Sequence, residues 1–290
     1  MNSIEFYTSS YISAQTASSV YTELFSFKKG EALSVHGHEF LEIGITLNGN
    51  ANHNAEGTFK KLEKGMVYII PIGSTHQADQ TNDWEVRNIY LLPTIFSAHF
   101  FNMDSSTYYK LQDFLLKHCS GNLGVIHFSL KNETFSAIKS LSGTLCPELF
   151  SDKNTYTLYQ NHCLSNILLL LAEDYYAQYA EETFYTDPRM NKISQFIYAH
   201  LDFPLKNLLQ GLSEELTLNS QYINRIVKKS LGVPISRYFL QCKIEKSIQL
   251  LQNGLAPTEV AFLLGFYDYA HFHKAFTRYV GMTPNQYRLK

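Results

Sequence analysis

The 290-residue chain is short of the features that mark several large classes of protein. Its four cysteines, Cys119, Cys146, Cys163 and Cys242, are scattered without a CxxC pair. That spacing excludes a disulfide framework and leaves reduced thiols. Long apolar runs are missing too. The longest, Ile167 to Ala172, falls far below the roughly 20 residues a membrane-spanning helix needs, so no membrane role is expected. The opening MNSIEFYTSS carries neither a basic n-region nor an apolar h-region, so no secretory signal is expected and a cytoplasmic location is. Net charge is small as well, at −2. What is abundant is apolar and aromatic side chain, 45% and 14% of residues, which fits a globular chain with one large or two medium cores.

The small net charge conceals a division. From Pro188 onward there are 13 Lys/Arg against 6 Asp/Glu, a balance of +7, while the remainder has 11 against 20, a balance of −9. A basic C-terminal third behind an acidic front is the electrostatic pattern of a nucleic-acid module joined to something else.

Up to about residue 100 the sequence alternates apolar and polar residues between closely spaced turn signals. Examples are Glu42 to Leu47 ending at Asn48–Gly49, Met66 to Ile70 ending at Pro71, and Trp84 to Leu91. Short strands at this spacing predict an antiparallel sandwich or barrel. From about Ser105 the period lengthens. Leu111, Phe114, Leu115 and His118 mark one helix; Phe135, Ile138, Leu141 and Leu145 mark another. Thr155 to Tyr179 is a long third, with Leu158, Cys163, Ile167, Leu170, Leu171 and Tyr175 on its apolar face, serving either as core or as a dimer seam. Glu181 to Asp187 reads as a linker, since the charge balance changes sign there, and Pro188 suits the first turn of the next helix.

The basic third contains two helix-turn-helix patterns. In the first, Leu205 to Leu216 forms one helix, with Gly211 as an awkward interior residue. Thr217–Leu218 turns, and Asn219 caps a second helix from Ser220 to Leu231 that stops at Gly232. Tyr222, Ile223, Ile226 and Val227 can face inward, leaving Gln221, Asn224, Arg225 and Lys228 on the outer face. Arg can pair with guanine, and Asn or Gln with adenine, so this row has the chemistry of base reading. Ile235 to Leu251 makes a connecting helix. In the second pattern, Val260, Ala261, Leu263 and Leu264 precede Gly265, Asp268 caps, and Phe272 and Phe276 lie one turn apart before Gly281 and Pro284.

Val260–Ala261, Gly265–Phe266, Phe272, Phe276, Gly281–Met282–Thr283–Pro284 and Tyr287–Arg288 together resemble the signature of the AraC/XylS family of bacterial transcription regulators. The resemblance covers residues 188–290. It implies base reading through Gln221, Asn224 and Arg225 in the first unit and Tyr269, His271, His273 and Lys274 in the second; the capping Asn219 and the outer-face Lys228 are further DNA-binding candidates. Three departures stand out: Lys243 where the family usually has Arg, Ser247 for Ala, and Val227 for Phe.

The acidic front carries its own spacing. Gly30 is followed by His36–Gly37–His38, Glu42 and Gly49; later come Gly65, Pro71, Gly73 and His76. These resemble the two cupin motifs, with Gln80 in place of the closing Asn, and imply a small antiparallel barrel over about residues 20–100. His36 and His38, two apart on a strand, point to one face. With Glu42 and His76 they make a candidate Fe, Mn, Ni or Zn site. A structural or hydrogen-bonding role for the same histidines is the alternative, and no cofactor is required by the reading. His36, His38, Glu42, His76, Arg87 and Tyr90 are the candidate effector-binding groups. The HxHEFLE stretch and the strand at Arg87–Tyr90 resemble carbohydrate-responsive members of the family such as the rhamnose regulators, although fatty-acid-sensing members also exist.

The expectation is an α+β chain of two domains. Residues 1–180 form a cupin-like barrel followed by dimerising helices, 181–187 a linker, and 188–290 an all-α DNA-binding domain. The expected partners are promoter DNA, a small effector such as a sugar, a second copy of the chain and, for an activator, RNA polymerase. No enzymatic activity is expected. Two alternatives share the motifs: a metal-dependent cupin enzyme fused to a helical module, and a regulator whose barrel only dimerises.

Overall fold

The computed structural model describes residues 4–13, 15, 19–96, 106–119, 123–179, 187 and 189–289. In chain order its elements are β1 (Glu5–Tyr7), α1 (Ser9–Ser13), β2 (Val20–Phe27), β3 (Leu33–His38), β4 (Leu41–Ala55), β5 (Thr58–Glu63), β6 (Met66–Ile70) and β7 (Thr75–Leu91). A 3₁₀ turn at Pro93–Phe96, α2 (Ser106–Cys119), β8 (Ile126–Ser129), α3 (Asn132–Gly143) and α4 (Lys153–Gln178) follow. The last elements are α5 (Arg189–Ala199), α6 (Leu205–Leu216), α7 (Ser220–Leu231), α8 (Ile235–Gln252), α9 (Pro257–Leu263), α10 (Tyr269–Val280) and α11 (Pro284–Arg288). No helix among the described residues is long and apolar enough to cross a membrane.

The chain forms two compact units. The first gathers Met1–Tyr7, Val20–Leu91 and Met103–Tyr185; the second gathers Thr8–Ser19, Leu92–Asn102 and Thr186–Lys290. Two short pieces of the front half therefore pack with the C-terminal helices, which the charge division gives no reason to expect. Of the expected linker only Asp187 lies within the described residues, and Pro188 lies outside them.

In the first unit eight strands form one sheet, ordered β1-β3-β7-β4-β6-β8, with β2 also on β7 and β5 also on β4. Pairing is antiparallel except between β1 and β3. The expected barrel is thus a sheet without a closing pair among the described residues. Its two long strands, β4 and β7, each serve several neighbours along their length. The turn expected at Asn48–Gly49 is instead an irregularity inside β4, where the register with β7 shifts. Gly49 has φ +65°, and a Cβ there would lie 2.2 Å from the Asp83 carbonyl oxygen, so glycine lets the strand bulge and continue. β4 turns at Glu56–Gly57, both with positive φ, as a two-residue hairpin prefers. Trp84, Tyr68, Val86 and Ile70 are among the buried residues of one apolar cluster in the sheet.

α2 buries Leu111, Phe114, Leu115 and His118 as the periodicity predicts. α4 is capped by Asp152, whose Oδ1 accepts from the Thr155 N–H at 2.9 Å. Its buried stripe runs through Gln160, Cys163, Leu164, Ile167, Leu168, Leu171 and Tyr175. Leu158 lies off that stripe and is exposed, and Leu170 is half-buried at its margin.

In the second unit α6–α7 and α9–α10 are the two helix-turn-helix pairs, joined by α8. Leu208, Leu212, Ile223, Val227, Ile244, Val260, Phe272 and Phe276 are fully buried. Removing such side chains from water contributes about 1.5–3 kcal/mol each. The awkward Gly211 has a packing reason: a Cβ there would meet the Phe196 ring at 2.7 Å, so its absence lets α6 approach α5. Two of the departures from the family signature lie on α8. Lys243 is buried and its Nζ donates to the Phe203 carbonyl at 2.8 Å, which ties α8 to the turn before α6. Burial lowers its pKa to about 8. Ser247 is also buried, and its Oγ donates to the Ile244 carbonyl at 2.6 Å.

Candidate nucleic-acid interface and sensor site

α7 is set by its two ends. Asn219 Oδ1 accepts from the Tyr222 N–H at 2.8 Å, and Gly232 closes the helix with φ 73°. Ile223, Ile226, Val227 and Leu231 turn inward, and Gln221, Arg225, Lys228 and Lys229 are exposed. Asn224, placed by its spacing in the same reading row, is half-buried, and its Oδ1 accepts from the Ile235 N–H at 3.0 Å. It caps the first turn of α8 and so fixes α7 against that helix. Tyr222 is not fully inward either. Its ring lies under the Arg225 guanidinium at 4.5 Å, while its hydroxyl accepts from Arg189 Nη2 at 3.1 Å. Arg189 is itself held in two hydrogen bonds by Asp187, at 2.7 and 2.6 Å. This row positions Arg225, a role the sequence reading did not give Tyr222.

α10 is built alike. Asp268 Oδ1 accepts from the His271 N–H at 2.7 Å, and Phe272, Phe276 and Val280 are buried. His271, Lys274 and Arg278 are exposed; Tyr269 and His273 are half-buried, with ring centroids 5.8 Å apart. The turn before α10 depends on Gly265, at φ +58°, where a Cβ would fall 1.8 Å from the Asp202 carbonyl oxygen.

In the sheet unit, β3 places His36 and His38, β4 places Glu42 and β7 places His76, all buried. Register brings His36 opposite His76. Donor atoms of His36, Glu42 and His76 lie within 4.8 Å of one another, and His38 Nε2 adds a fourth ligand atom 3.2 Å from Glu42 Oε2. Each imidazole is held from behind at Nδ1. His36 donates to the Ser34 carbonyl at 2.9 Å and His38 to the Phe40 carbonyl at 2.7 Å, while His76 meets His53 Nε2 at 3.1 Å. A backbone carbonyl can only accept, so His36 and His38 carry a hydrogen on Nδ1, and each neutral ring then presents its lone pair at Nε2. His38 Nε2 and His76 Nε2 make no well-aligned hydrogen bond, yet both face Glu42 Oε2, at 3.2 and 3.5 Å.

Glu42 is held on its other oxygen. Its Oε1 accepts from Asn88 Nδ2 at 2.9 Å, and the single Tyr68 hydroxyl hydrogen is shared between Glu42 Oε1 at 3.2 Å and Asn88 Oδ1 at 2.8 Å. Burial alone would raise the Glu42 pKa, and positive charge with N–H donation at His76 and His38 outweighs it and holds the carboxyl well below its usual range. Burial and the nearby Glu42 charge push the Tyr68 hydroxyl well above the usual phenol value. The Tyr68 ring reaches across because Gly44 has no side chain: a Cβ there would fall 1.9 Å from Tyr68 Cζ.

The remaining predicted groups separate. Tyr90 joins the cluster, its hydroxyl accepting from Asn88 Nδ2 at 3.3 Å. Arg87 does not: its Nη2 donates to the Ser142 carbonyl of α3 at 3.1 Å. Adjacent residues on a strand face opposite ways, so Arg87 points to the helix-covered side while Asn88 points to Glu42. Asn88 is a site residue the sequence reading missed, and its position two before Tyr90 was the available signal.

Family comparisons match the description "AraC-like ligand binding domain" over residues 28–110 and "Helix-turn-helix domain" over residues 212–290. Among relatives, the HTH-type transcriptional activator RhaS of Escherichia fergusonii is 24% identical over 259 residues, covering 89% of this chain and 88% of that protein. The Msm operon regulatory protein of Streptococcus mutans is 29% identical over 127 residues, covering 43% of this chain and 45% of that protein. Among solved structures, ToxT from Vibrio cholerae with an unsaturated fatty acid bound is 14% identical with a TM-score of 0.47, over 93% of this chain and 95% of that one. With both signatures, both matched domains and relatives named as regulators along most of its length, the chain belongs to the AraC family of DNA-binding transcription regulators.

Proposed function

We propose that the chain activates transcription from a promoter by inserting α7 and α10 into successive major grooves, under control of a small polar effector bound at the Glu42 face of the sheet. The observation that carries the reading is the exposed row Gln221, Arg225 and Lys228, with Arg225 held over Tyr222. These side chains have the donors for base edges and phosphates. The 18 residues of α8 reach about 27 Å, comparable with the roughly 34 Å between half-sites one helical turn apart. His271 and Lys274 of α10 then meet the second groove. Activation follows the relatives named as activators, and it brings RNA polymerase and a second protomer as partners. A carbohydrate suits Glu42, Asn88, Tyr90 and the histidines, which offer both acceptors and donors for hydroxyl groups. The role is regulatory rather than catalytic. The test is footprinting on the DNA flanking the chain's own gene, with and without candidate sugars. Two protected segments about one helical turn apart, lost at high salt, are expected. Equal affinity for that DNA and for random duplex would refute the reading.

A second reading of the sensor site is favoured by the convergence of its imidazole nitrogens on Glu42. Nε2 of His38 and of His76 face Glu42 Oε2 at 3.2 and 3.5 Å, a spacing that calls for a proton or a metal cation between them, and three imidazoles with one carboxylate suit a first-row divalent transition metal. His36, His38, His76 and Glu42 would hold it. Elemental analysis of untagged protein tests this reading: near-stoichiometric metal supports it, and less than about a tenth of an equivalent ends it.

A further inference from the structure

Two histidines outside every sequence motif extend the sensor cluster. His53 of β4 is fully buried, stacks on the Tyr68 ring with centroids 4.7 Å apart, and approaches His76 Nδ1 through its Nε2 at 3.1 Å. Its Nδ1 in turn lies 3.0 Å from Nε2 of His127, a half-buried residue on β8. A hydrogen bond between neutral imidazoles needs one N–H and one lone pair, so the tautomers of the three rings are linked. Only two directions are consistent along the row. In one, His76 Nδ1–H donates to His53 and His53 Nδ1–H donates to His127. The reverse direction puts a hydrogen on His76 Nε2, where it faces Glu42 Oε2 at 3.5 Å and leaves no lone pair for a metal ion. Only the first direction leaves that Nε2 lone pair in place. It also gives His76 the tautomer that the Ser34 and Phe40 carbonyls impose on His36 and His38.

We infer that His53 and His127 are positioning residues, which lock His76 in its Nδ1–H tautomer and aim its Nε2 lone pair at a divalent transition-metal ion held with His36, His38 and Glu42. This rests on the metal reading above. Ligating histidines commonly have their second nitrogen fixed by such an outer partner, whose loss weakens metal binding about 10–100-fold. In this chain the backbone supplies that partner for two rings and His53 supplies it for the third. His127 fixes His53 in turn, so the row reaches from the buried cluster to a half-exposed strand.

The full-length protein can be titrated with Co²⁺, whose visible absorption reports ligand geometry, in the wild type, His53→Leu, His53→Gln and His127→Leu. His53→Leu should bind about 10–100-fold more weakly. His53→Gln, whose side-chain carbonyl can still accept from His76, should keep most of the affinity, and His127→Leu should lose less than His53→Leu. In parallel, ¹⁵N-histidine NMR of the metal-free protein should show His76 as the Nδ1–H tautomer in the wild type and a mixture in His53→Leu. Unchanged Co²⁺ affinity together with an unchanged His76 tautomer in His53→Leu overturns the inference, as does a wild-type His76 that carries its hydrogen on Nε2. Wild-type protein that takes up no Co²⁺ yet shifts its His76 tautomer on losing His53 removes the metal reading and keeps the positioning role.

Discussion

Glu245, on α8, supplies a measurable link between pH and the stability of the helical unit. Its carboxyl is buried, and one oxygen, Oε1, accepts from both the Ser19 and the Thr94 hydroxyls. Both donors come from the short front-half segments that pack with the C-terminal helices. Burial pushes the Glu245 pKa up from an ordinary 4.5 to about 7, with the two hydroxyls only partly offsetting it. The folded state therefore holds a proton that the unfolded chain has released, and it does so between about pH 4.5 and pH 7. Stability from this group is greatest below the unfolded pKa, falls across that window, and levels off once the folded carboxyl has ionised. At about 1.4 kcal/mol per tenfold change in proton affinity the whole effect is about 3 kcal/mol. Glu245→Gln keeps the shape and removes the proton. The stability of Glu245→Gln relative to wild type should therefore rise by about 2–3 kcal/mol between pH 5 and pH 8, or roughly 5–10 °C in melting temperature. Thermal melts of both full-length proteins at half-unit pH intervals read this directly. Parallel pH profiles would show that the carboxyl is not held protonated and would refute the argument.

Three further expectations follow from the geometry. Arg225→Ala should lose about 1–3 kcal/mol of discrimination at one base position, whereas Lys228→Ala should weaken all duplexes alike and lower the salt dependence by about one phosphate; gel-shift series over base variants and salt separate the two. Gly265→Ala and Gly281→Ala both meet a left-handed backbone, but only the first also meets a carbonyl at 1.8 Å, so it should cost well over 2 kcal/mol against about 1 kcal/mol for Gly281→Ala, whose Cβ would find only Ser10 Cβ at 3.5 Å; urea melts rank them, and equal losses would contradict the packing argument. Gly44→Ala should displace the Tyr68 ring and strip Glu42 of its hydroxyl donor, so binding at the sensor face should fall more than DNA affinity does, as calorimetry and gel shifts on the same preparation would show.

The helical unit was legible in the sequence because its helices are delimited chemically. Asn219 and Asp268 accept the first-turn N–H groups, and Gly232 and Gly281 take left-handed stops, so boundaries and faces follow from spacing alone. What spacing could not show is competition for a side chain. Asn224 has the right position for DNA, yet the nearest unsatisfied donor is the Ile235 N–H, and the helix end takes it. The motif histidines of the sheet were legible because β3 is short and its alternation is unbroken over His36 and His38. On β4 the same counting fails. Starting from Glu42, strict alternation sends His53 to the opposite face from the site. The register shifts around Gly49 absorb the difference: beyond them Ala51, His53 and Ala55 are buried, and Asn50, Asn52 and Asn54 are more exposed. A glycine inside an otherwise regular strand, with polar residues on both sides, thus marks where face counting must restart. Counting afresh from Ala51 puts His53 on the Glu42 side, so the bulge itself carries His53 to His76.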